Sequence, residues 1–197
     1  MSLLQTEPQF DRETESGGTG SVSYEVKPVV ERKQSGQPHK GKVLAAIQPH
    51  CDDIPLFAGG TVLKLIEEGY EGILITMSND SMAGTGSSIG DIVLKNEIDT
   101  KEVAKRLKLK ESLFLNYPNH NMDAWPLIEI RARLVFLFRL YKVDTVFVYD
   151  PSALYERNPD HYITARAVES ACWMASSEWD YPRSEERRVG KECRSRW

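Results

Sequence analysis

From Lys42 onward, short runs of β-branched and apolar residues alternate with stretches in which apolar residues recur every three or four positions. The runs predict strands, and the stretches predict helices that bury one face. Four such strand–helix pairs follow one another, so we expect a Rossmann-like α/β fold with a mainly parallel sheet and helices on both faces. The predicted strands are 42–47, 72–77, 112–117 and 144–149, and the predicted helices are 55–68, 91–107, 127–141 and 161–176.

Both ends of the chain differ in composition from this middle part. Residues 1–41 are rich in Glu, Gln, Ser, Gly and Thr, which predicts a disordered or extended segment with a candidate edge strand at 22–30. Residues 183–197 show no apolar period and resemble the translation of a sequencing adapter, so we interpret them as a non-native tail. We therefore expect an α/β domain at residues 42–182 that is truncated at its C-terminus.

Composition and charge limit the classes of function. The chain has 197 residues, 41% of them apolar, and a formal net charge of −4. The tail is basic, so the rest of the chain is acidic, and we expect no nucleic-acid partner. We expect no membrane span, because no apolar run approaches the roughly 20 residues that one needs.

Residues at the start of the chain lack the basic and apolar regions of a signal peptide. The three cysteines form no CxxC pair. Neither a disulfide framework nor a thiolate zinc site is therefore indicated. We expect a cytoplasmic protein, and the sequence leaves open whether it forms a homo-oligomer.

Histidines and acids gather in the loops that follow the predicted strands. His50, Asp52 and Asp53 follow the first strand, and His161 comes after the fourth. In open parallel sheets ligands bind at the carboxyl ends of the strands, so these side chains should meet at one edge. Imidazole and carboxylate ligands suit Zn²⁺, and a catalytic zinc ordinarily has three protein ligands. His50, Asp53 and His161 are the candidate zinc ligands, and Asp52 is the candidate general base.

The same residues also fit a purely structural interpretation. Asp52 and Asp53 precede a predicted helix, where acidic side chains cap the N-terminus and interact favourably with the helix dipole. His161 begins another predicted helix. Spacing alone leaves both interpretations open.

Two sequence motifs resemble those of a known enzyme superfamily. The stretch Ile47-Gln-Pro-His-Cys-Asp-Asp53, followed by Phe57-Ala-Gly-Gly-Thr61, is similar to the opening motif of the PIG-L/LmbE-like deacetylases, Ala-His-Pro-Asp-Asp-Glu before a Gly-Gly-Thr helix. These are the N-acetylglucosaminyl-phosphatidylinositol de-N-acetylases and their relatives. Asn158-Pro-Asp-His161 resembles their second motif, His-Pro-Asp-His. The resemblance covers residues 42–176.

The resemblance implies a zinc-dependent hydrolase that removes the N-acetyl group from an N-acetylglucosamine-type sugar conjugate. It implies that His50, Asp53 and His161 bind the zinc and that Asp52 acts as the base. Asp160 matches an acid that supports the histidines in this superfamily. The expected partner is therefore a small N-acetylated sugar conjugate.

Three positions depart from the motifs. Cys51 replaces the proline of the first motif, Ile54 its glutamate, and Asn158 the first histidine of the second motif. No change removes a proposed ligand or the base. Asn158 removes an imidazole near the reaction centre, so we expect Asn158, like Asp160, to lie beside the ligands.

Polar residues of the loops are candidates for contact with the sugar. Asp80 and Asp123 can hydrogen-bond sugar hydroxyls. His120, Tyr155 or Arg157 can donate to the oxyanion that forms during amide hydrolysis.

Three other functions remain open. An amidase that acts on another N-acyl group would use the same residues. A non-catalytic metal- or carbohydrate-binding relative fits the change at Asn158. A dinucleotide-dependent oxidoreductase fits least, because no GxGxxG follows the first strand.

Overall fold

The computed structural model describes residue 32, residues 34–177 and residues 179–181. The chain divides into two units, Met1–Arg32 and Lys33–Trp197. The fold described below is that of the second unit.

Two sequence predictions fall outside the described residues. They are the candidate edge strand at 22–30 and the non-native tail at 183–197. The domain boundaries at these two ends therefore stay predictions.

Within the described residues, four parallel strands form one sheet, and helices lie between consecutive strands. The strands are β1 (Val43–Gln48), β2 (Glu71–Ser78), β3 (Glu111–Tyr117) and β4 (Thr145–Phe147), and the helices are α1 (Gly59–Glu67), α2 (Ile89–Arg106), α3 (Leu127–Tyr141) and α4 (Pro159–Ala175). The strand order is β3-β2-β1-β4. This architecture confirms the predicted α/β fold. Among the described helices, none is long and apolar enough to cross a membrane.

The strand β1 shows why both faces of the sheet are covered. Ala45 and Ile47 belong to one apolar cluster and Leu44 and Ala46 to another, because successive strand residues point to opposite faces. Residues of α3 and α4 complete the first cluster, and residues of α1 and α2 complete the second. A strand buried on both faces carries a nearly continuous apolar run, as β1 does.

The first predicted helix is divided into two parts. Ile54–Ala58 forms a π-helical turn, and α1 begins only at Gly59. After α1, Gly69 has a φ of 108°, a left-handed conformation that glycine favours, and donates its N–H to the carbonyl of Ile66.

Strand β4 is shorter than predicted. Only Thr145–Phe147 pair with β1, so the chain leaves the sheet before Tyr149. A strand with one described neighbour is held on one side alone, and its backbone can turn away early. The loop after β4 therefore begins early, and Tyr149 within it reaches Asp53 in the turn after β1.

We expect Leu134→Ala in α3 to lower the free energy of unfolding by about 2–5 kcal/mol, because truncation of a fully buried leucine leaves a cavity. Leu140→Ala in the same helix is the control, since Leu140 is 51% exposed and its truncation should change stability by roughly 0.5 kcal/mol or less. Urea unfolding followed by circular dichroism measures both variants. Equal losses would contradict the packing of α3 on the sheet.

Candidate metal centre

Three side chains from two distant parts of the chain meet at the carboxyl edge of the sheet. His50 and Asp53 lie in the turn after β1, and His161 lies in the first turn of α4. Each offers one ligand atom, and these atoms lie within 4.8 Å of one another. His50 and Asp53 are buried and His161 is half-buried. The structure thus brings together the three predicted zinc ligands.

The distances show which atoms face one another. His50 Nδ1 lies 3.1 Å from His161 Nε2 and 3.6 Å from Asp53 Oδ2. His161 Nε2 lies 3.5 Å from Asp53 Oδ1. Two ring nitrogens and one carboxylate therefore border a common space.

The second ring nitrogen of each histidine, which faces away from this group, is hydrogen-bonded to a carboxylate outside the group. His50 Nε2 lies 3.0 Å from Asp160 Oδ2, and His161 Nδ1 lies 2.9 Å from Glu156 Oε2. When the outer nitrogens donate to these carboxylates, the inner nitrogens keep their lone pairs for a metal ion. Metal-binding histidines ordinarily have such a partner, so the donor set fits a zinc ion.

Asp160 connects α4 to the loop that follows β3. It is fully buried, and besides His50 it accepts the N–H groups of His120 at 2.6 Å and Met122 at 3.1 Å. Burial raises the pKa of Asp160, but these hydrogen bonds outweigh it and bring the pKa below its usual value. Asn158 lies beside it and caps α4, since its Oδ1 accepts the N–H of Asp160 at 3.0 Å.

Tyr149 fixes two members of the group. Its hydroxyl donates to Asp53 Oδ1 at 2.8 Å, and its ring stacks on His161 with centroids 4.3 Å apart. Burial raises the pKa of Asp53, but hydrogen bonds from His50 and Tyr149 lower it below its usual value. Burial and the Asp53 charge raise the pKa of Tyr149, so its hydroxyl stays a donor.

The pKa of His50 is raised to about 10. Burial lowers this pKa, but the hydrogen bonds to Asp160 and Asp53 outweigh burial, and the nearby charge of Asp80 acts in the same direction. A protonated imidazole does not bind a metal ion, so a metal and a proton compete for His50.

Tyr149 and Glu156 were not identified from the sequence. Tyr149 was the last residue of the fourth predicted strand, and its place at the carboxyl edge was the one available signal. Glu156 lies five residues before His161 in an irregular loop, where spacing does not determine which side chains meet.

Two further candidates lie close to the group. Asp52 is exposed in the same turn as the first two ligands. The exposed ring of His120 stands edge-on to His50, with centroids 5.6 Å apart. Their predicted roles as base and as oxyanion donor remain predictions.

The other candidate substrate-binding residues differ widely in how deeply their side chains are buried. Asp80 is only 2% exposed, and its Oδ2 accepts the N–H of Cys51 at 2.7 Å. Asp123 is exposed in the turn before α3, and Tyr155 is 94% exposed in the loop before α4. Asp80 is thus buried beneath the turn that contains Cys51, whereas Tyr155 faces solvent. The contacts of these residues with a sugar stay predictions.

The middle part of the chain matches a known protein family. Residues 45–172 match the family described as PIG-L: GlcNAc-PI de-N-acetylase. The chain belongs to this family. The resemblance that the two motifs indicated is thereby confirmed.

Two known deacetylases are similar to the chain, one in sequence and one in sequence and fold. Diacetylchitobiose deacetylase of Thermococcus kodakarensis is 27% identical over 122 residues, which cover 61% of this chain and 45% of the relative. The structure of N,N'-diacetylchitobiose deacetylase from Pyrococcus horikoshii is similar with a TM-score of 0.68 at 28% identity, over 76% of this chain and 55% of that one. The chain thus spans about half the length of these relatives.

The same fold occurs in a protein that is named as a hydratase and not as a deacetylase. The 4-carboxy-2-hydroxymuconate hydratase GalB from Pseudomonas putida has a TM-score of 0.62 at 17% identity, over 72% of this chain and 60% of that one. This similarity shows the fold alone, so the function of the chain has to be argued from its own side chains.

We expect Glu156→Gln to weaken the binding of Zn²⁺ by about 10- to 100-fold, because an amide holds the His161 Nδ1 proton less firmly than a carboxylate does. Glu102→Gln is the control, since Glu102 is an exposed residue of α2 that pairs with Arg106. Competition with a chromophoric zinc chelator measures both affinities. Wild-type affinity in the Glu156 variant would show that His161 does not need this partner.

Proposed function

We propose that the chain is a zinc-dependent deacetylase that removes the N-acetyl group from an N-acetylglucosamine-type sugar conjugate. The observation that carries this proposal is the group of His50, Asp53 and His161, in which both histidines present one nitrogen inward and are held at the other. Membership of the PIG-L family supports it. So do the two related diacetylchitobiose deacetylases, which suggest an N-acetylated sugar as substrate.

The donor set favours zinc over magnesium or calcium. Two imidazole nitrogens and a carboxylate suit Zn²⁺, whereas Mg²⁺ and Ca²⁺ prefer oxygen ligands throughout. Three protein ligands leave one coordination position open for reaction. A zinc ion bound there would polarise the acetyl carbonyl and make water more acidic.

Asp52 is the proposed general base. It follows His50 by two residues and is exposed, whereas its neighbour Asp53 is buried and hydrogen-bonded to Tyr149. Asp52 can therefore meet both water and substrate. It would take a proton from the water as the water oxygen bonds to the carbonyl carbon, and return it to the nitrogen as the C–N bond breaks. The products are acetate and a free amino sugar.

His120 is the proposed donor to the oxyanion. Its ring lies edge-on to His50, and its backbone is held by the hydrogen bond to Asp160 in a left-handed conformation with a φ of 56°. A donor fixed before the reaction stabilises developing charge at little cost in reorganisation. His120 is preferred to the alternatives, Tyr155 and Arg157, which are also exposed, because its ring contacts that of His50.

Two substitutions separate proton transfer from metal binding. Asp52→Asn should keep the zinc content of the wild type and lower acetate release by about 100-fold or more, since it removes the base alone. His161→Ala should lower both zinc content and acetate release, because it removes a ligand. Elemental analysis and an acetate assay with N,N'-diacetylchitobiose measure the two quantities.

Asp99→Asn, at an exposed position of α2, is the matched control and should behave as wild type. Equal loss of zinc in the Asp52 and His161 variants would contradict the proposed division of roles. Full acetate release by Asp52→Asn would exclude Asp52 as the base.

A non-catalytic metal- or carbohydrate-binding protein is the second candidate function. Asn158 favours it, because the family motif has a histidine there and this asparagine caps α4. Zinc binding without acetate release from any N-acetyl sugar would support this candidate. Acetate or acid release from other N-acyl compounds alone would favour the amidase.

A further inference from the structure

A second polar cluster lies behind the metal-binding turn, which we define as residues 50–53. Asp80, in the loop after β2, is 2% exposed, and Thr100, within α2, is 1% exposed. Both line a cavity of about 10 Å³ beside Cys51. The cavity is distinct from the metal centre, since none of the three candidate ligands lines it.

Two of the residues that line this cavity each carry a buried polar atom with no hydrogen-bond partner in the part of the chain that the structure describes. They are Asp80 Oδ1 and Thr100 Oγ1. Buried polar atoms are normally paired with protein groups or with ordered water, because loss of their hydration otherwise costs stability. Because both residues line the same cavity, one small polar molecule there can pair with both atoms.

We propose that Asp80 and Thr100 bind one ordered water molecule in this cavity, and that this water, acting through Asp80, positions the metal-binding turn. A cavity of this size admits about one water molecule. The water can donate to the Asp80 carboxylate and accept the hydroxyl proton of Thr100, so it satisfies both atoms.

The lining favours water over a metal cation. A water molecule can both donate to the Asp80 carboxylate and accept the Thr100 hydroxyl proton, whereas a cation cannot accept that proton. Glu97, the other acid at the cavity, has a side chain that is 30% exposed and lies 3.7 Å from Lys101 Nζ, so its charge is already partly balanced. Asp80 is thus the one fully buried carboxylate among the lining residues.

Asp80 connects the cavity to the metal-binding turn. Its Oδ2 accepts the N–H of Cys51, which lies between the two ligands of the turn, at 2.7 Å. Its backbone carbonyl accepts a hydrogen bond from Asn96 Nδ2 of α2 at 3.0 Å. With the water bound to Oδ1, both carboxylate oxygens are held, and the position of the turn is tied to α2 through Thr100.

A high-resolution crystal structure of the full chain tests the water itself. We expect density within about 2.7–3.2 Å of both Asp80 Oδ1 and Thr100 Oγ1. Crystals grown with rubidium chloride provide the comparison. An anomalous rubidium signal in the cavity would overturn the assignment to water, and so would a cavity without density.

Two substitutions test the effect on the turn. Thr100→Val keeps the shape of the side chain and removes the hydroxyl, and we expect it to lose the water and raise the Kd for Zn²⁺ about 10-fold. Thr100→Ser keeps the hydroxyl and should retain the water, with a Kd within about twofold of wild type. Equal Kd values for wild type and both variants would overturn the positioning role.

The effect on zinc affinity rests on the proposed function, whereas the water site rests on Asp80 and Thr100 alone. If the wild type binds no zinc, the proposed function fails, and the wild-type crystal structure still decides the water site. If Thr100→Val does not fold, the same wild-type structure decides the water site, and the Kd of Thr100→Ala, which also removes the hydroxyl, tests the positioning role against Thr100→Ser.

Discussion

The buried carboxylate of Asp160 joins three parts of the chain that are far apart in sequence. It lies at the start of α4, hydrogen-bonds His50 after β1, and accepts two backbone N–H groups from the loop after β3. A fully buried charge is stable only when it is paired and hydrogen-bonded, and each of these donors contributes to that. The orientation of His50, the path of the His120 loop and the placement of His161 one residue later all depend on this carboxylate.

Four carboxylates around the candidate metal centre differ in environment, and their proposed roles follow from those differences. Asp53 lies within the group and is held by Tyr149, while Asp160 and Glu156 lie outside it and orient one histidine each. Asp52 alone is exposed, where water and substrate can reach it. The environment of each carboxylate thus decides whether it is suited to bind a metal, to position a ligand or to move a proton.

The sequence predicted the fold and the candidate ligands better than it predicted their supports. The bounds of α3 agree with the prediction because its apolar residues recur with a clear helical period, and the parallel sheet follows from four alternating units. Tyr149 was missed because β4 ends after three residues, which depends on tertiary contacts. Glu156 was missed because an irregular loop has no period, and the buried position of Asp80 was missed because loop acids are usually solvated.

The metal content of the purified full chain tests the central claim most directly. Elemental analysis should find about one zinc ion per wild-type chain and none in a His50→Ala/Asp53→Ala variant, with circular dichroism confirming that both are folded. A folded wild-type protein that contains no metal and takes up none from added zinc would contradict the account. Wild-type zinc content in the double variant would place the metal elsewhere and contradict it equally.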